Sequence, residues 1–177
     1  MAQLKFIITG SPGAGKTTAI TAISETPPVR TDEATTDSLA SSKSETTVAM
    51  DFGELTLEGG EKVFLYGTPG QRRFEFMWKI IAQGGLGLIV LVDCTREDPL
   101  ADMEMYLENF SDFIGETSVV IGVTRSDAPG APSLDDFYNR LQDSDRLFPI
   151  LDVDPREADD VSLLINALIS SLEYTTT

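Results

Sequence analysis

Short apolar runs and stretches of helical spacing take turns along this chain. Residues 4–9 make a buried-strand run, and residues 16–24 read as a helix growing out of a glycine-rich turn. Apolar periodicity then stops. Residues 25–47 are rich in Ser, Thr, Asp and Glu, with Pro27 and Pro28 as a break, so a long loop is expected there, and such loops tend to carry function. Residues 48–57 read as a strand, Glu58, Gly59, Gly60 and Glu61 as a turn, and residues 62–66 as the returning antiparallel strand. Phe74, Met77, Trp78 and Ile81 recur at helical spacing. Residues 86–92 are apolar throughout, as in a strand covered on both faces. Met103, Tyr106, Leu107 and Phe110 mark another helix, and residues 119–123 another buried strand. Leu134, Phe137, Tyr138 and Leu141 give a short helix, residues 147–151 the last strand, and Val161, Leu164, Ile165, Leu168 and Leu172 the stripe of a closing helix. The sum is one α/β domain over residues 1–177, with six strands, mostly parallel with one antiparallel hairpin strand, and five flanking helices.

Charge narrows the chemistry. There are 29 acidic against 13 basic residues and no histidine, a formal net charge of −16. Contacts to nucleic-acid phosphates need Lys or Arg, so nucleic acid is an improbable partner, and the same holds for an anionic lipid surface. The absence of histidine removes a Ser-His-Asp triad, a Cys-His pair and a His-rich zinc site. Cys94 is the single cysteine, so no internal disulfide exists, and its place at the end of an apolar run predicts an inert core thiol. No signal peptide, membrane-spanning run, myristoylation glycine or prenylation cysteine is visible, so the expectation is a cytoplasmic protein without a membrane anchor.

The candidate chemistry starts at Gly10-Ser11-Pro12-Gly13-Ala14-Gly15-Lys16-Thr17, which fits the phosphate-loop pattern G-x-x-x-x-G-K-[ST] between a predicted strand and a predicted helix. Glycines let successive N–H groups turn inward as a nest for phosphate oxygens, and the helix N-terminus adds positive potential. Lys16 is a compact cation for the β- and γ-phosphates, and the Thr17 hydroxyl suits Mg2+. Gly10, Gly13, Ala14, Gly15, Lys16, Thr17 and Thr18 are therefore the expected nucleotide-binding residues here. The motif alone does not separate ATP from GTP.

Three later stretches have a common order. Thr47 to Phe52 opens the hairpin, Gly67-Thr68-Pro69-Gly70-Gln71 follows residues 62–66, and Thr124-Arg125-Ser126-Asp127 follows residues 119–123. In this arrangement the whole chain resembles the Ras-like small GTPases, in detail the bacterial and archaeal branch of MglA-type polarity GTPases. The resemblance implies GTP and GDP as ligands, Mg2+ as cofactor, and a protein partner of the Roadblock/LC7 type. It implies that Thr47, with Thr46 as the alternative, ligates Mg2+ beside Thr17, that the Gly70 N–H contacts the γ-phosphate, and that Gln71 orients the attacking water. Asp127 matches the aspartate that reads guanine, with Thr124 and Arg125 in the same base loop. Its two oxygens accept from N1–H and the 2-amino group, and adenine lacks both donors, which would leave a buried carboxylate unpaired at a cost of roughly 1–3 kcal/mol or more. Only the location of the last base loop, near Asp154, Pro155 and Arg156, follows from the resemblance.

The chain also departs from that pattern. Gly67 stands where most small GTPases carry the aspartate that holds Mg2+ through water, and Asp51 and Asp93 are the candidate substitutes, Asp93 doubling as a possible cap or turn residue. Thr124-Arg125 replaces Asn-Lys, which predicts weaker guanine selectivity, with the Arg125 stem left to cover a base. Pro12 removes one N–H from the phosphate nest.

Hydrolysis needs charge neutralisation more than covalent chemistry, which makes Lys16 and Gln71 the candidate catalytic residues. An arginine finger from Arg30, Arg72 or Arg73 is conceivable, with surface solvation as the simpler reading. Phe76 falls off the inward stripe of its helix and is a candidate partner contact. The expectation is a slow GTP-hydrolysing switch stimulated by a partner. The alternatives are a nucleotide-regulated binding module with little turnover and a P-loop ATPase or kinase.

Overall fold

The computed structural model describes residues 3–27, 29–30, 51–70, 75–144 and 146–175, with the backbone alone at 29, 30 and 175. A seven-stranded sheet runs through the middle of the molecule. Its strands are β1 (Gln3–Gly10), β2 (Val29–Arg30), β3 (Asp51–Thr56), β4 (Lys62–Gly67), β5 (Gly87–Asp93), β6 (Ser118–Thr124) and β7 (Ile150–Asp152), in spatial order β2-β3-β4-β1-β5-β6-β7. Neighbours from β4 to β7 pair in parallel, while β3 pairs antiparallel with both β2 and β4. The helices are α1 (Lys16–Ile23), α2 (Glu75–Ala82), α3 (Pro99–Asn109), α4 (Ser111–Ile114), α5 (Leu134–Gln142) and α6 (Ala158–Thr175).

The six expected strands are all present, joined by the two-residue β2, and the five expected helices are joined by the four-residue α4. The last strand sits later than the apolar run suggests. It covers Ile150–Asp152 rather than residues 147–151, and Leu147 is 81% exposed. Residues 48–50 of the expected hairpin strand, and Phe74 of the α2 stripe, lie outside the described residues.

Strand alternation divides the core in two. Ile7, Leu88, Val90, Val92, Ile121 and Val123 face Trp78, Tyr106, Phe110 and Phe137 from α2, α3, the α3–α4 junction and α5. Phe6, Ile8, Ile89, Leu91 and Val120 face Ala19 and Ile20 of α1 and Leu164, Ile165 and Leu168 of α6. All seven positions of β5 and of β6 are buried, which accounts for their unbroken apolar sequences. Fully burying a Leu or Phe side chain is worth about 1.5–3 kcal/mol, so these two layers dominate stability.

Helix starts are set locally. The Asp98 carboxylate accepts the Ala101 N–H at 3.0 Å, with Pro99 in the first turn of α3. Ser133 and Asp136 form a reciprocal capping box on α5. The first turn of α1 begins at Gly15 and has no side-chain cap. Among the described residues, no helix is long and apolar enough to cross a membrane.

Candidate nucleotide site

The site lies at the carboxyl ends of β1, β4, β5 and β6, where open α/β sheets gather their ligands. The loop from Gly10 into α1 is held in a conformation that needs glycine. Gly10 and Gly15 have φ of 151° and 105°. A Cβ on Gly10 would stand 2.4 Å from the Leu91 carbonyl oxygen, and one on Gly15 would stand 2.6 Å from Pro155 Cγ. The phosphate loop is thus wedged against β5 on one side and the loop after β7 on the other. Its uncapped helix start offers backbone N–H groups to an anion.

Lys16 is only 9% exposed, and its Nζ donates to the Gly10 and Ser11 carbonyls at 2.6 and 2.8 Å. Burial pulls its pKa down to about 8, with the negative charge of Asp51 opposing that shift and Arg96 adding to it. Ser11 Oγ is buried without a hydrogen-bond partner among the described residues. Beside Lys16 runs the segment after β4. A Cβ on Gly70 would stand 2.7 Å from both Lys16 Nζ and the Pro12 nitrogen, so only glycine lets this segment lie on the loop. Three side chains fix it there. The Thr68 hydroxyl donates to Thr9 Oγ1 at 2.8 Å, Trp78 Nε1 donates to the Pro69 carbonyl at 2.8 Å, and the Tyr106 hydroxyl donates to the Gly70 carbonyl at 3.2 Å.

Thr17 and Asp51 face each other across α1 and β3, the Thr17 hydroxyl donating to Asp51 Oδ2. Asp51 is 9% exposed. A hydroxyl and a carboxylate are the hard oxygen donors that Mg2+ takes. Among the described residues no group of three or more acidic, Cys or His side chains gathers as a metal cage. The donor set therefore fits a cation shared with phosphate oxygens rather than one held by protein alone. Asp93, the other sequence candidate, is committed elsewhere. Its Oδ1 accepts from the Thr95 amide and hydroxyl at 2.9 and 2.7 Å, and its Oδ2 from Arg125 at 2.6 Å.

A cavity of about 810 Å³ opens beside the loop, large enough for a nucleotide. Gly13 to Thr18 form one wall, Thr124 to Asp127 a second, and Asp152 to Arg156 a third. The second wall is tied to the first. The buried Thr124 hydroxyl lies 3.4 Å from the Ala14 carbonyl, and Arg125, at a φ of 53°, donates to the Gly13 carbonyl at 3.1 Å. The Arg125 guanidinium bridges Gly13 and Asp93, and the residue lines the cavity. Asp127 lines the cavity but is exposed, so the burial that sharpens guanine selection would come only from a base resting on it. In the third wall Asp152 accepts from Ser126 Oγ at 2.7 Å, and Asp154 and Arg156 pair at 2.7 Å.

The structure thus brings together Gly10, Gly13, Ala14, Gly15, Lys16, Thr17, Thr18, Gly70, Thr124, Arg125 and Asp127. Thr46, Thr47, Gln71, Arg72 and Arg73 lie outside the described residues, as does the side chain of Arg30. Sequence reasoning missed the Arg125–Asp93 pair, Ser126 with Asp152, and the pinning of residues 68–70 by Trp78 and Tyr106. Trp78 and Tyr106 were read correctly as core residues; nothing in their spacing tells that each also carries a hydrogen bond to the loop.

Taken together, fold and loop define a P-loop nucleotide-binding domain. The chain belongs to the family described as conserved hypothetical ATP binding protein, whose sequence profile matches residues 8–174. It is also 37% identical over 59 residues to an uncharacterized protein of Methanocaldococcus jannaschii. That stretch covers 33% of this chain and 38% of the archaeal one.

Proposed function

We propose that this protein is a guanine-nucleotide switch, a single G-type domain over residues 1–177 that binds GTP and GDP with Mg2+ and hydrolyses GTP slowly. The observation that carries the reading is Asp127. It lines the cavity in a loop that Thr124 and Arg125 tie to Ala14 and Gly13 of the phosphate loop. A carboxylate there accepts from the N1–H and 2-amino donors of guanine together, and adenine offers neither. The Gly70 segment lying on Lys16 supports the switch part, because a γ-phosphate entering beside Lys16 must displace or reorder it.

In this reading Thr17 and Thr47 ligate the cation, Lys16 neutralises the phosphates and Gln71 orients the attacking water. Mg2+ supplies charge neutralisation at the β- and γ-phosphates when bound. A Roadblock/LC7-type partner that stimulates hydrolysis rests on the resemblance to small GTPases. The exposed Phe76, at 65%, and Ile80, one turn on at 61%, give α2 an apolar outer face consistent with a protein partner.

A second reading, an adenine-nucleotide protein, is favoured by the family's description. Equilibrium binding of GDP, GTP, ADP and ATP, each with and without Mg2+, separates the two. A guanine preference that falls roughly 5- to 150-fold in Asp127→Ala is the expected result. Equal or adenine-favoured binding overturns the guanine reading. Single-turnover hydrolysis then tests the enzyme part: Gln71→Leu should slow GTP cleavage sharply, and no change would leave a binding module with little turnover.

A further inference from the structure

The segment after β4 is pinned residue by residue. The Thr68 N–H donates to the Ile8 carbonyl at 2.9 Å and its hydroxyl to Thr9 Oγ1 at 2.8 Å. The Pro69 carbonyl accepts from Trp78 at 2.8 Å. Gly70 comes last. Among the described residues its hydrogen bond is from the Tyr106 hydroxyl of α3, 3.2 Å from the Gly70 carbonyl. Tyr106 is 1% exposed and packs beside Trp78 with ring centroids 5.1 Å apart, so that hydroxyl has a fixed origin in the core. Neither ring lines the nucleotide cavity.

The place in which Gly70 is held is the one a third phosphate needs. A Cβ there would stand 2.7 Å from Lys16 Nζ, and the Gly70 Cα is only one bond length farther away. A phosphate oxygen takes about 2.7–2.9 Å from the cationic nitrogen alone, so none fits between them. Lys16 is turned meanwhile to the Gly10 and Ser11 carbonyls of its own loop. A diphosphate fills the loop and stops short of this point, whereas a triphosphate must move Gly70.

From this geometry we infer that the Tyr106 hydroxyl is a latch that sets the preference between a nucleoside diphosphate and a triphosphate without touching either. The inference rests on the nucleotide-binding reading above. Gly70 can swing about the Pro69 carbonyl, because hydrogen bonds to a carbonyl oxygen tolerate a broad range of directions and glycine supplies the backbone freedom. Trp78 then keeps its bond, and the Tyr106 bond is the one that breaks. Apparent triphosphate affinity is lowered by the fraction of molecules that are closed, while diphosphate affinity is not.

The test removes one oxygen atom. Affinities of the full chain for GDP, ADP and the hydrolysis-resistant β,γ-imido analogues of GTP and ATP are measured for wild type, Tyr106→Phe and Tyr138→Phe. Tyr138 is the control, since its hydroxyl also donates to a backbone carbonyl, that of Ile150, but lies away from the loop. Tyr106→Phe should raise the triphosphate-to-diphosphate affinity ratio about 2- to 12-fold, the net worth of one hydrogen bond, with diphosphate affinity unchanged. Tyr138→Phe should leave the ratio as in wild type.

A ratio that stays the same or falls in Tyr106→Phe overturns the latch, and so does an equal rise in Tyr138→Phe. Should Tyr106→Phe fail to fold, wild type decides. Gly70-Gln71 is the single Gly-Gln pair in the chain, so carbonyl-labelled glycine with amide-labelled glutamine isolates the Gly70 carbonyl in an NMR spectrum. Its shift should differ between the diphosphate and triphosphate complexes, and identical shifts overturn the inference. A chain that takes only adenine nucleotides sinks the guanine reading and leaves the latch to be judged on ADP and the ATP analogue; one that takes neither base sinks both.

Discussion

Gly10 is a fixed letter of the phosphate-loop pattern and Gly13 stands at one of its free positions, and the two differ in space as well. Both need positive φ, at 151° and 79°, yet a side chain at Gly10 meets the Leu91 carbonyl whereas one at Gly13 meets nothing within 4 Å. Gly13→Ala should therefore cost only the left-handed strain, about 1–2 kcal/mol. Gly10→Ala adds a backbone clash and should lose at least about 2 kcal/mol more, or fail to fold, as read from urea midpoints. Cys94 makes a second prediction. Burial, then Asp93 and Asp152, push its thiol up to about 11. A thiol reagent near pH ~8 should label the folded protein about 100-fold more slowly than the urea-unfolded chain, and the rate should climb with pH toward that value. At this scale the phosphate loop was legible in the sequence because its chemistry demands fixed residue types at fixed spacing. That Asp51 meets Thr17 while Asp93 is held by Thr95 and Arg125 was not, because those partners depend on strand register and on a long-range Arg125 contact that local pattern cannot carry.

At the scale of elements, strands β5 and β6 were legible because burial on both faces leaves an unmistakable apolar run. Strand β7 was displaced in the reading because Leu147 joins an apolar run while standing in solvent. Short β2 and α4 had no periodicity to show, since two and four residues complete neither a strand repeat of useful length nor two helical turns. Helix α2 has a role beyond packing. Its Trp78 stacks on Phe110 with ring centroids 5.7 Å apart while its Nε1 holds the Pro69 carbonyl. Trp78→Phe keeps an aromatic ring but leaves that buried carbonyl unpaired, so unfolding free energy should fall by about 1–3 kcal/mol in urea titration. Nucleotide affinity should fall with it if the 68–70 segment is part of the site.

Across the whole molecule, a formal net charge of −16 on 177 residues means that the folded state works against its own repulsion. Raising KCl from ~0.05 to ~0.5 M shortens the Debye length from over 10 Å to roughly 4 Å, and the melting temperature should rise accordingly. A melting temperature that ignores salt would mean that local pairs such as Arg140–Glu104 and Arg96–Asp102 already balance the field where it matters. The single tryptophan gives a direct view of the site while such experiments run. Trp78 is buried to 1% exposure and its indole N–H is bound to the segment that lies on Lys16. Its emission should therefore be blue-shifted at rest, and any rearrangement of residues 68–70 should alter its wavelength or quantum yield, giving a stopped-flow signal without a dye or an engineered probe.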